Sequence, residues 1–130
     1  MKFTSIVFLF LNFVSSNVFA ALIPIGENER WVAYGYTDNL QQSGHIAKVW
    51  VLFDYKSIQT SPISGKRYSS EKSQREIDCQ SNQLRTTFVT WHSDRMGGGT
   101  VVYTGNSSTG WEPAGPYSVA VNIIKFACGK

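Results

Sequence analysis

The chain is poor in the residues that build metal and redox centres. It contains 2 cysteines and 2 histidines. Cys79 and Cys128 lie far from His45 and His92, and such spacing lacks the paired ligands that zinc needs. No metal and no cofactor is expected. Met96-Gly97-Gly98-Gly99-Thr100 lacks the G-K-[ST] ending of a phosphate loop, and no G-x-S-x-G elbow is present. Trp91-His92-Ser93-Asp94 carries residue types used in hydrolysis. Neighbours on a strand point to opposite faces, so these four do not make a triad by adjacency. The sequence therefore reads as a binding protein and not an enzyme. Charge of one sign is also lacking: the formal balance is +3, with basic residues scattered among acids, which speaks against a nucleic-acid surface.

Long apolar runs are confined to the start. Lys2 supplies a positive n-region, Ile6 to Val14 an apolar core, and Val18-Phe19-Ala20 a small-residue cleavage site. This is the pattern of a secretory signal peptide, too short to span a bilayer comfortably. Cleavage after Ala20 is expected, leaving one domain over residues 21–130, without a stable membrane span and periplasmic or secreted. In an oxidising compartment two cysteines allow a single intramolecular pair, Cys79 with Cys128. Free buried thiols and an intermolecular bridge are the alternatives. A chain of this size buries roughly 65% of its unfolded surface, enough for a modest core.

Within that domain, Ala21 to Asn28 reads as a lead-in. Trp31 to Tyr36 is aromatic and β-branched and reads as a strand. Thr37 to Gly44 is a turn-rich connection. His45 to Tyr55 is the strongest strand pattern. Ala47, Val49, Val51, Phe53 and Tyr55 fall on one face, and Ile46, Lys48, Trp50, Leu52 and Asp54 on the other. Both faces are apolar in the middle, so this strand is expected to be covered on both sides. Ser57 to Arg67 reads as a loop with Pro62 and Gly65. The second half of Tyr68 to Cys79, then Leu84 to His92 and Thr100 to Thr104, read as further strands. Short connections favour an antiparallel meander.

The tail differs. Ala120, Ile123, Ile124, Ala127 and Cys128 sit at helical offsets behind Ser118, a good N-cap residue. The β-branched content would also suit a strand. In the helical reading Cys128 lies on the buried face and could staple the helix to Cys79.

The ordered set Val49-Trp50-Val51, Asp54-Tyr55-Lys56, Gly65-Lys66, Tyr68, Ser70, Lys72 and Glu76-Ile77-Asp78-Cys79 resembles the surface-adhesin protein E-like family of small exported bacterial proteins. Arg85, Val101-Val102-Tyr103, Trp111-Glu112-Pro113, Pro116-Tyr117-Ser118 and Cys128 complete the likeness. The resemblance implies an α+β fold, an antiparallel sheet of about five to six strands with the C-terminal helix packed on its concave face. It also implies adhesion to host matrix or serum glycoproteins. The signal region departs in lacking a lipid-attachment cysteine, so a periplasmic or secreted protein fits better than surface display.

Trp50, Asp54, Tyr55, Lys56 and Tyr68 are the candidate binding surface, since aromatics beside charges suit recognition. The competing reading makes Trp50 core and the Asp-Tyr-Lys trio a strand end with satisfied polar contacts. Ser64-Gly65-Lys66-Arg67-Tyr68 resembles the S-G-x-x-Y loop of periplasmic lysozyme inhibitors, without that family's later motif. The expected partner is a protein, either a host glycoprotein or another envelope component; a structural envelope role without a ligand is a further alternative. An open sheet edge could pair with its twin, making a homodimer an expectation.

Overall fold

The computed structural model describes residues 21–129; the signal-peptide reading of residues 1–20 lies outside them. Eight strands and one α-helix follow in order, with a 3-10 turn at Arg95–Gly97 between the sixth and seventh strands: β1 Leu22–Glu27, β2 Trp31–Tyr36, β3 Gln41–Ser43, β4 Ile46–Thr60, β5 Arg67–Asp78, β6 Gln83–His92, β7 Val101–Gly105, β8 Glu112–Pro113 and α1 Val119–Cys128. All pair antiparallel in one sheet, with path β1-β2-β4-β5-β6-β7. β3 pairs with β4, and β8 with β6.

The sheet is thus larger than the five to six strands expected. The lead-in is an edge strand: its Pro24 and a bulge before Gly26 are tolerated because one side of β1 needs no partner. β3 is polar and exposed, held by backbone pairing with β4 and not by an apolar face. The expected loop at Ser57 also shrinks, because β4 runs on to Thr60. β5 is stranded along its whole length and not only in its second half.

β4 is the spine, buried on both faces in its middle as its sequence suggested. Ala47, Val49, Val51 and Phe53 point toward α1 and join Ala33, Ile77 and Leu84 beneath Ile123, Ile124 and Ala127. The tail is a helix, because its apolar residues make one stripe that this face can cover. Ser118 stands at the N-cap but its hydroxyl makes no capping bond; it donates instead to the Gly115 carbonyl. Gly129 closes the other end at φ 72°, the left-handed geometry that glycine adopts without strain.

Two contacts fix the helix on the sheet. Cys79 and Cys128 form a disulfide. Next to the last residue of β2, a Cβ added to Gly35 would lie 2.5 Å from the Phe126 ring, so glycine lets the aromatic ring rest on the strand backbone. The helix covers one half of its face of the sheet and leaves the other half open.

Candidate functional site

The five candidate residues do not form one patch. Trp50 and Asp54 alternate with Val49, Val51 and Phe53 on β4, so they point away from the helix. Tyr55 packs toward it, with Tyr68 beside it at 5.7 Å between ring centroids. Lys56 reaches Glu27 at 2.7 Å, a partly exposed ion pair.

On the face away from the helix, the candidates are occupied structurally. Asp54 is 2% exposed. Its Oδ1 accepts the Met96 N–H at 2.8 Å, and its Oδ2 accepts from Arg95 Nε at 3.0 Å and from Arg95 Nη2. Next to it in register, Ser70 donates to the Asp94 carbonyl at 2.6 Å and accepts the Gly97 N–H at 2.8 Å. Together they pin the Ser93–Thr100 segment across the sheet. Trp50 meets Phe88 edge-on at 5.9 Å, and the Lys72 ammonium lies between the Tyr36 and Trp50 rings, 4.7 and 5.0 Å from their centroids.

Asp54, Ser70 and His92 are cross-strand neighbours on this face. Their residue types invite comparison with a hydrolytic triad, but the geometry is different. The serine stands between the other two with its hydroxyl engaged by backbone on both sides. His92 shares its 2.8 Å hydrogen bond with Thr90. Burial, and then the nearby Lys72 charge, lower the His92 pKa. Ser93 Oγ accepts the Thr100 N–H at 2.9 Å. Among the described residues, no cluster of His, Cys, Asp and Glu could hold a metal ion.

The open half of the helix-side face is different. Phe53, Glu71, Trp91 and Tyr103 are direct cross-strand partners on β4, β5, β6 and β7. Bulges set this register: four β4 residues, Tyr55 to Ile58, stand against Ser69 alone, and Val102 is the extra residue of β7. The result is a row of rings, Tyr55–Tyr68–Trp91–Tyr103, across four strands. Tyr68 and Trp91 stack at 4.5 Å with planes 13° apart, and Trp91 meets Tyr103 at 4.5 Å and 38°. All four residues are half-buried.

Polar groups border this row. Glu71 Oε1 accepts the Trp91 indole N–H at 3.1 Å. Arg75 donates through Nε to Ser73 Oγ at 3.0 Å and lies 5.7 Å from the Phe53 ring centre. Burial pulls the Arg75 pKa below its ordinary value, while Glu71 and then Tyr55 oppose that. Burial, reinforced by Glu71, pushes the Tyr55 hydroxyl up to about 12. Tyr68 is raised for the same two reasons. Both phenols are therefore hydrogen-bond donors at neutral pH.

Tyr68 is not at a loop tip. It lies on β5 between Tyr55 and Trp91, while Ser64 sits in the preceding turn with its Oγ accepting the Lys66 N–H. The two residues that would have to enter an enzyme cleft together are thus differently employed. Glu71 and Arg75 were not singled out from sequence, and Trp91 and Tyr103 were named only within a segment weighed for hydrolysis and within the family likeness, not as a binding surface. The strand assignment of Arg75, Trp91 and Tyr103 was legible and that of Glu71 was not, and the register that gathers them depends on bulges that carry no sequence mark.

The family model described as surface-adhesin protein E matches residues 22–129. Among solved structures, Haemophilus influenzae protein E superposes with a TM-score of 0.67 at 12% identity, over 87% of this chain and 87% of that one. Protein E from non-typeable Haemophilus influenzae gives a TM-score of 0.64 at 12% identity, over 88% and 79% of the two chains. At such identity the likeness concerns the fold. No curated protein sequence matches the chain.

Proposed function

Because the chain belongs to the surface-adhesin protein E family, we propose that it is an exported, non-enzymatic binding protein that holds a macromolecular partner on the open half of its helix-side face. The observation that carries this reading is the half-buried row Tyr55–Tyr68–Trp91–Tyr103, flanked by Arg75 and Glu71. Aromatic and arginine side chains dominate binding energy at protein interfaces. Here they sit on a rigid sheet, which lowers the cost of ordering them on binding.

The partner class that fits the family is a host matrix or serum glycoprotein. Adhesion then requires access from outside the cell, which the secretory pattern read over Lys2 to Ala20 would supply. A secreted or loosely retained domain meets that need. Among the described residues no helix is long and apolar enough to cross a membrane. β7, an edge strand without proline or charge, also leaves room for a twin to pair.

The experiment is binding of the purified mature chain to immobilised serum and matrix glycoproteins, beside an unrelated exported protein of similar pI. Saturable binding that Trp91→Ala weakens at least tenfold supports the reading. No signal above the control at micromolar concentration overturns it.

A further inference from the structure

The orientation of the aromatic row limits what can lie on it. The 4.5 Å spacing of the Tyr68 and Trp91 centroids matches the distance between neighbouring strands, about 4.8 Å. Side chains on a sheet stand roughly upright. Tyr68 and Trp91 therefore stand face to face with their edges turned outward, Tyr103 leans against Trp91 at 38°, and Tyr55 meets Tyr68 edge-on. A ring face is electron-rich and attracts cations; a ring edge is positive and attracts oxygen. This surface thus disfavours a cationic ligand and favours an oxygen-rich one.

The charges agree. Arg75 has no carboxylate within 4.0 Å among the described residues, although Glu71 is close by. Arg30 stands at the Tyr68 end, bonded to Gln59, the cross-strand partner of Tyr68. Two guanidinium groups and one carboxylate, Glu71, thus lie around Tyr55. That carboxylate, Glu71, takes the Trp91 N–H on Oε1 and has Oε2 to offer to a further donor. The Tyr55 and Tyr68 hydroxyls are donors. A fitting ligand carries one carboxylate for a guanidinium and hydroxyls for Glu71. An acidic peptide segment brings the first but has few donors for the second. A polyanionic glycan would need a stripe of basic residues, and two arginines do not make one.

We propose that the open half of the helix-side face binds a single carboxylated sugar at the end of a glycoprotein glycan. Its carboxylate lies on Arg75, its hydroxyls on Glu71 and Tyr68, and its ring oxygens along the edges of Tyr68 and Trp91. A planar guanidinium suits a carboxylate through paired N–H donors. This inference rests on the reading of that face as the contact surface, and gives the partner's chemistry.

The test is a titration of the mature chain with sialyllactose, followed by NMR or calorimetry, beside lactose, a glucuronate-containing oligosaccharide and a glutamate-rich decapeptide. Sialyllactose is expected to bind about tenfold or more tightly than lactose. Arg75→Gln should bring it to the lactose level, and Arg30→Gln, at an exposed position that leaves folding intact, should weaken it several-fold. Equal binding of lactose and sialyllactose overturns the proposal. So does preference for the glucuronate chain or the peptide, or no sugar binding at millimolar concentration. A second arm compares an immobilised serum glycoprotein before and after sialidase treatment. Equal capture of both overturns the sugar proposal and leaves the binding reading standing; capture of neither removes both.

Discussion

Asp54 and Arg95 meet across 41 positions of sequence, the buried carboxylate of one holding the guanidinium and the following backbone N–H of the other's segment. The pair is unequal: the Asp54 side chain is 3% exposed and that of Arg95 57%. The aspartate serves as an anchor that the Ser93–Thr100 segment folds onto.

Asp54→Ala is therefore expected to destabilise the fold by about 2 kcal/mol, because the Met96 N–H loses its buried acceptor. Arg95→Ala should cost much less, since solvent screens the exposed partner. Urea midpoints of the two variants check this. Equal losses would mean that the ion pair, and not the backbone contact, holds the segment.

The disulfide closes a loop between residues 49 apart. In the chain-entropy model that adds about 4 kcal/mol, a large share of the net stability of about 5–15 kcal/mol usual for a domain. Cys79→Ser and Cys128→Ser should lower the thermal midpoint by similar amounts, and reductant should do the same to the wild type. Melting curves that coincide with and without reductant would contradict it.

Gly35→Ala places a methyl group where the Phe126 ring lies. Overpacking of this kind costs about 1–3 kcal/mol. Joined with Phe126→Leu, the two losses should be strongly non-additive, because the smaller side chain vacates the space. A double-mutant cycle on chemical denaturation measures the coupling; simple additivity would refute the contact.

Alkaline pH should unfold the chain partly through Tyr55. Its hydroxyl is raised in the folded state to about 12, from an ordinary value of 10.0. The unfolded chain therefore releases this proton first. Stability is whole below pH 10 and declines as pH rises toward 12. Tyr55→Phe should flatten that decline. Thermal midpoints at pH 9 and 11 for both chains provide the comparison, and an unchanged slope would count against the shift.

The central architecture was legible because its signals are local. The pattern of His45 to Tyr55 marked a strand covered on both sides, while the spacing of Ile123, Ile124 and Ala127 offered a helix face that β-branched content left open to a strand and the family resemblance decided. β1 and β3 were not legible. Edge strands paired through backbone groups tolerate Pro24 in one case and Gln41-Gln42-Ser43 in the other, so neither presents an apolar alternation. The site was half legible. Tyr55 and Tyr68 were named, but Trp50 and Asp54 belong to the opposite face. Asp54 was read either as part of a binding surface or as a strand end with satisfied polar contacts, and its partners could not be named because they come from a segment far along the chain. The aromatic row is set by the irregularities of β4, where four residues stand against one, and of β7, where one extra residue changes which rings meet.

Every strand precedes α1 in the chain. A chain that emerges from an export channel N-terminus first therefore presents Val49, Val51, Phe53, Ile77 and Leu84 before the residues that shelter them arrive. For that interval the nascent sheet offers an apolar face to any neighbour. Helix docking and thiol oxidation then arrive together as the closing step. A chain interrupted before residue 119 would keep its strands but lack their cover, and is expected to be a client of holding chaperones rather than a smaller version of the same protein.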